Sequence, residues 1–253
     1  MVPDQVRFLF LNVGHFLDHL FVLIFATAVL KLAIDWNMTY GELAPYATPA
    51  FVAFGICAIP AGWLADKWSR EGMMAVFFIG IGAASIIDSF ATTPFEIAVC
   101  LTLLGVFAAI YHPVGLAMVV QGVEKTGVPL AINGIFGNMG VASAALLTGY
   151  LVDRSGWQSA FVVPGIVSIV IGVAYIIYER TRPKIDASAA KAAAKPTPAL
   201  PRSLLFRVFG VIFFTTALGG LVFQSTTFAL PKVFDERGSE ENDAKHAEQQ
   251  TAR

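Results

Sequence analysis

Charge is what this chain has least of. Asp, Glu, Lys and Arg make up 14% of its 253 residues, against about 25% in a soluble domain. The shortage is sharpest in cations: up to Glu179 there are six, Arg7, Lys31, Lys67, Arg70, Lys125 and Arg154. Six cations cannot cover a water-facing surface of that length, so the region lies in lipid. A soluble enzyme, a nucleic-acid binder and a secreted disulfide domain are thereby excluded. Cysteine is scarce as well: Cys57 and Cys100 both fall in apolar stretches and imply no disulfide framework. No Gly-x-x-x-x-Gly-Lys-Ser/Thr loop occurs, which argues against direct ATP drive. No small-residue cleavage site follows the first apolar run, so that run is expected to remain as an uncleaved first helix.

What the chain has instead is apolar length. Seven runs approach the roughly 20 residues that an α-helix needs to cross the hydrocarbon core: 8–32, 46–65, 73–92, 96–120, 129–151, 158–178 and 204–230. They are apolar all round, unlike the alternating strands of a lipid-facing barrel. Short polar or Gly/Pro links separate the first six, which makes neighbours antiparallel and predicts an all-α polytopic bundle over 1–180. An Ala, Lys and Pro stretch at 181–203 reads as a flexible cytoplasmic linker, followed by a seventh transmembrane helix at 204–231 and a polar tail at 232–253. With the N-terminus cytoplasmic, eleven cations fall inside and only Lys31 and Arg154 in the outer loops, the bias expected of a multi-pass cell-membrane protein, the inner membrane if bacterial.

Two segments repeat. Gly62-Trp-Leu-Ala-Asp66-Lys67 ends the second apolar run and Gly149-Tyr-Leu-Val-Asp153-Arg154 ends the fifth, on opposite faces of the membrane. Equivalent positions in opposite orientation are what an inverted 3+3 repeat produces.

The stretch Gly62-Trp-Leu-Ala-Asp66-Lys67-Trp-Ser-Arg70-Glu-Gly resembles the signature loop of the major facilitator superfamily, Gly-x-Leu-Ala-Asp-cation-x-Gly-Arg-cation. Ser69 and Glu71 depart from it, and Leu101 stands near the place of the family's helix-four Arg. The Tyr111-His112-Pro113 turn and the glycines 134, 137, 140 and 149 look similar to the fosmidomycin-resistance type of efflux carrier. The resemblance covers about residues 8–231 and implies the first half of a twelve-helix transporter plus one further helix. It also implies that Asp66 and Arg70 latch the inner mouth, with Asp66 able to cap the following helix.

The residues expected to carry transport lie inside these apolar runs. At about 100° per residue, Asn12, His15 and His19 share one face of the first helix, with Asp18 on its flank and Gly14 pointing away. Such groups cost roughly 2.5 kcal/mol or more each in lipid, so they face the bundle interior or a water-filled cavity. Imidazoles titrate near physiological pH, which suits a substrate or proton site. Packing of the helices is the competing role. Tyr111 and His112 precede Pro113, which breaks the fourth helix at depth and marks a cavity. Gln224 in the seventh helix is a further candidate for cavity lining, and Pro49 and Pro60 read as kinks in the second.

The leading expectation is a transmembrane transporter, a secondary carrier moving a small molecule by alternating access with proton coupling. The expectation is of no enzyme, no cofactor, no resident metal and no nucleic-acid partner; the expected partners are a small-molecule substrate, membrane lipid and, in the first alternative below, a second chain. Two alternatives stay open. One is a truncated or split half-carrier whose missing helices a second chain supplies; the other is a membrane-embedded metalloenzyme built on His15, Asp18, His19 and His112.

Overall fold

The computed structural model describes residues 4–182 and 201–251. The expected linker lies almost wholly outside them. Seven helices among the described residues are long and apolar enough to cross a membrane: Gln5–Asp35, Tyr40–Lys67, Arg70–Asp88, Pro94–Val119, Gly127–Ser155, Trp157–Thr181 and Arg202–Glu241. All seven apolar runs therefore correspond to helices, and the described chain has no strands.

Residues 1–182 and 183–253 form two separate units. In the first, α1 (Gln5–Asp35) fills one span. The second is built from α2 (Tyr40–Leu43), a 3₁₀ turn (Ala44–Ala47) and α3 (Thr48–Lys67). Then follow α4 (Arg70–Asp88), a fourth span broken into α5 (Pro94–Ala108) and α6 (Tyr111–Val119), α7 (Gly127–Ser155) and α8 (Trp157–Thr181). Pro60 lies inside α3 as expected, but Pro49 sits in its first turn, where the absent N–H costs nothing, and is not a mid-helix kink. Among the described residues of the second unit there is one helix, α9 (Arg202–Thr251), which continues through Pro231 into the polar tail.

The most extensive pairings in the first unit are α1 with α7, α4 with α8, and α3 with α5. Exchanging the first three spans with the last three converts the first pairing into the third and returns the second to itself. The packing thus carries the inverted 3+3 symmetry that the repeated Gly-x-Leu-x-Asp ends point to.

Lipid tails are as apolar as leucine, so close backbone approach and interhelical hydrogen bonds hold such a bundle, rather than burial from water. The α4–α8 pair illustrates this. A Cβ on Gly82 would lie 2.6 Å from the Gly165 carbonyl oxygen, and one on Gly165 would lie 2.7 Å from that of Gly82. Beside this contact Ser85 Oγ donates to the Phe161 carbonyl and Ser168 Oγ to that of Phe78, both at 2.8 Å. Each such bond contributes on the order of 0.6 kcal/mol.

Charge closes the end of the bundle where α1 and α4 begin and α8 finishes. Asp4 caps α1 by accepting from the Val6 and Arg7 amides, pairs with Arg182 at 3.0 Å and accepts from the Tyr178 hydroxyl. Arg7 joins Glu71 of α4 at 2.5 Å and Glu179 of α8 at 3.5 Å. The Tyr178 hydroxyl, helped by the Arg7 amide, Arg182 and the Val6 amide, holds the Asp4 carboxyl below the usual carboxylate range. Removing the cap with Asp4→Ala is expected to cost about 1 kcal/mol. Because the folded value is the lower one, this contribution is complete above about pH 4 and disappears as pH falls through the depressed value. Thermal denaturation of both proteins across that range should show the gap closing in acid.

Candidate functional site: a histidine cluster between α1, α6 and α7

Near the middle of α1, four polar side chains turn inward. Asn12, His15 and Asp18 are buried, with Asp18 1% exposed, and His19 is half-buried. They meet the start of α6, where the fourth span breaks ahead of Pro113. The break brings Tyr111, fully buried, and half-buried His112 to the same depth.

Asn133 of α7 organises the group and is itself fully buried. Its Nδ2 donates to Asn12 Oδ1 and to the Tyr111 hydroxyl, both at 2.9 Å, and Tyr111 passes its own proton to the Leu11 carbonyl at 2.7 Å. The Asn133 carbonyl oxygen lies 2.8 Å from His15 Nδ1. A carbonyl only accepts, so His15 carries a proton on Nδ1 and, when neutral, offers the Nε2 lone pair. That lone pair faces His19 Nε2 at 3.2 Å, which makes His19 the donor. The His15 ring stacks on Tyr111 with centroids 4.8 Å apart, and His112 stands edge-on to both His15 and His19.

His112 Nε2 approaches Asp18 Oδ2 at 3.3 Å, an ion-pair distance without the alignment of a hydrogen bond. Neither Asp18 oxygen has a hydrogen-bond partner among the described residues. His15, His19 and His112 each place a ring nitrogen within 4.8 Å of the others.

Glycine makes room for this. A Cβ on Gly137 would sit 2.7 Å from His15 Nε2, and one on Gly140 would sit 2.3 Å from the Phe16 carbonyl oxygen. Gly14 does not point away from the site as expected: a Cβ there would lie 2.9 Å from the Tyr111 ring, so its absence lets that ring reach Leu11 and Asn133.

Of the residues expected to carry transport, Asn12, His15, Asp18, His19, Tyr111 and His112 converge here; Gln224 lies on α9, in the other unit. The signature residues lie elsewhere. Gly62 packs toward Pro113, its absent Cβ 3.2 Å from that ring, and Asp66 pairs with Arg70 at 2.8 Å beside exposed Lys67. Asp66 does not cap the next helix. Ser69 does, its Oγ accepting from the Gly72 amide at 3.0 Å. In the repeat, Gly149 faces open space, Asp153 is exposed, and Arg154 lies over the Tyr150 ring at 5.6 Å.

Two buried polar residues are missing from the sequence-based set. Asn133 lies in the Gly-rich segment of α7 and is the hub of the cluster. Asp88, at the end of α4, is fully buried with neither oxygen partnered among the described residues. Its position inside an apolar run was the available signal.

A broken fourth span, inverted 3+3 packing and a buried polar cluster within apolar spans mark a multi-pass helical membrane protein. The chain belongs to the Major Facilitator Superfamily, whose sequence profile matches residues 11–244. It is 24% identical over 143 residues to a gallate transporter of Pseudomonas putida, covering 56% of this chain and 32% of that protein. It is 21% identical over 165 residues to the 4-hydroxybenzoate transporter PcaK of the same organism, covering 64% and 37%. A crystal structure of a bacterial homolog of the human lysosomal transporter Spinster, inward-facing and unoccupied, superposes with a TM-score of 0.69 at 14% identity over 87% of this chain and 52% of that one. The chain thus spans about a third of the length of these curated relatives.

Proposed function

We propose that this chain supplies a substrate-binding bundle of a secondary carrier that moves a small aromatic acid by alternating access, coupled to protons. The observation that carries the reading is the cluster of three imidazoles and one buried carboxylate halfway along an otherwise apolar span, where a carrier of this architecture places its site. Imidazoles supply a carboxylate-binding charge and exchange protons near neutral pH. Beside His112 stands Phe54, ring centroids 5.9 Å apart, on the wall of an apolar pocket shared with Phe21, Phe25 and Phe51. Phe54 puts an aromatic face beside the imidazoles, and two relatives are named for gallate and 4-hydroxybenzoate.

Alternating access needs two bundles around one site. The faces that would receive a second one belong to α3 and α7, the least buried spans of the first unit. Gly55, Gly134 and Gly149 on these helices have open space beside them, the small-residue surface that an approaching helix requires. Asp66 with Arg70 at one end, and Asp153 with Arg154 at the other, are the corresponding gates. The cation bias supports a cell membrane with the N-terminus inside, which an N-terminal tag shielded from protease in intact cells would confirm.

The test is uptake of labelled 4-hydroxybenzoate and gallate into vesicles containing the full chain, with an imposed pH gradient. Uptake that collapses on adding a protonophore is the expected result. Absence of both flux and binding would overturn the reading; binding without flux would support a substrate-binding bundle that needs a second bundle for movement.

A further inference from the structure

We propose that His15, His19 and His112 form a binding site for a divalent transition-metal ion of the zinc class, with Asp18 as the anionic fourth ligand, bridging α1 to α6. Four features of the geometry lead there, and none of them rests on the transport reading.

The first is spacing. A tetrahedral centre with metal–nitrogen bonds of about 2.0–2.1 Å holds its donors about 3.3 Å apart. His15 Nε2 and His19 Nε2 are 3.2 Å apart, and His112 Nε2 and Asp18 Oδ2 are 3.3 Å apart. Two edges of the tetrahedron therefore already exist. With the three imidazole donors within 4.8 Å of one another, closure needs a shift on the order of 1.5 Å. His112 has the room for it: its side chain is 36% exposed and it sits where the fourth span is broken.

Orientation is the second. His15 donates Nδ1–H to the Asn133 carbonyl, the outer contact that fixes a ligating imidazole with Nε2 toward the metal. Third, the Asp18 carboxylate is 1% exposed and lacks a hydrogen bond, so a bound cation would give it the partner that burial demands. Fourth, three imidazoles favour zinc, copper or nickel over magnesium or calcium. Without metal, the close Nε2 pair needs a proton on His19 Nε2; on metal binding that ring takes the other tautomer, with its single proton on Nδ1 and its Nε2 lone pair free for the ion.

The experiment uses the full chain in detergent, stripped with EDTA and titrated with Co²⁺. Four-coordinate Co²⁺ absorbs strongly in the visible, unlike the aqueous ion. One Co²⁺ per chain is expected, displaced by Zn²⁺ and not by Mg²⁺. His19→Gln and His112→Gln should each weaken binding at least tenfold, while His246→Gln, altering the remaining histidine of the chain, should leave it unchanged. No visible bands at millimolar Co²⁺ with the unsubstituted protein would overturn the proposal, and so would equal bands in a His15→Gln/His19→Gln double variant. Flux in EDTA from protein that gives no Co²⁺ bands would sink this inference alone; bands without flux or substrate binding would sink the transport reading alone.

Discussion

Gly140→Val is expected to abolish the α1–α7 contact and to melt the first bundle well below the unsubstituted protein. Even the first carbon of a side chain at this position would lie 2.3 Å from the Phe16 carbonyl oxygen and 3.0 Å from its carbon. The obstacle is backbone, so no rotamer change relieves it, and α1 must move away from α7. Overpacking costs about 1–3 kcal/mol where side chains can yield; with backbone opposing, the upper end applies. For a chain of this size about 3 kcal/mol corresponds to a fall of roughly 6–12 °C in melting temperature. The same displacement pulls His19, whose Cβ is 3.2 Å from that point, out of the cluster. Gly134→Ala is the matched control. It lies on the same helix with nothing within 4 Å and should be neutral or slightly stabilising. Thermal unfolding followed by tryptophan fluorescence in detergent separates the two. Equal melting temperatures would show that α1 and α7 are not held by this approach.

The contrast between these glycines also marks how far the sequence could be read. Hydrophobic length is a property of composition, so all seven spans were legible, and so was the polar face of α1, since a helix fixes the angle between Asn12, His15 and His19 wherever it packs. The ends were less clear. Helix α1 begins at Gln5 because Asp4 caps it, and α2 begins early because Thr39 and Glu42 form a capping box. Contacts between distant segments were not legible. Asn133 meets Asn12 and Leu11 across more than a hundred residues, and nothing local distinguishes it from Asn138. The departures from the family signature were readable as differences but not as gains. Ser69 proves to be the cap of α4, and Glu71 is the acceptor for Arg7. Both therefore stabilise the loop by means other than those of the family pattern.

Asp18→Asn should reduce pH-gradient-driven uptake at least tenfold while leaving the fold intact. The substitution keeps the shape of the side chain and removes its charge, so packing around a 1% exposed position is preserved. What it removes is the negative partner of His112 at 3.3 Å, on the buried side of a ring that is only part-exposed. With the carboxylate in place, a proton on His112 has an anionic group 3.3 Å away; with the amide it has none, and the part-buried cation loses its compensation. Each 1.36 kcal/mol lost from the protonated state reduces its population tenfold, and uptake driven through that state falls with it. His112→Gln should cause a comparable loss, and the double variant should be little worse than either single one, because both remove the same pair. Transport rates in vesicles at fixed gradient, normalised to folded protein by gel filtration, give the comparison. Uptake within twofold of the unsubstituted protein in Asp18→Asn would remove the carboxylate from proton coupling and leave it as part of helix packing alone.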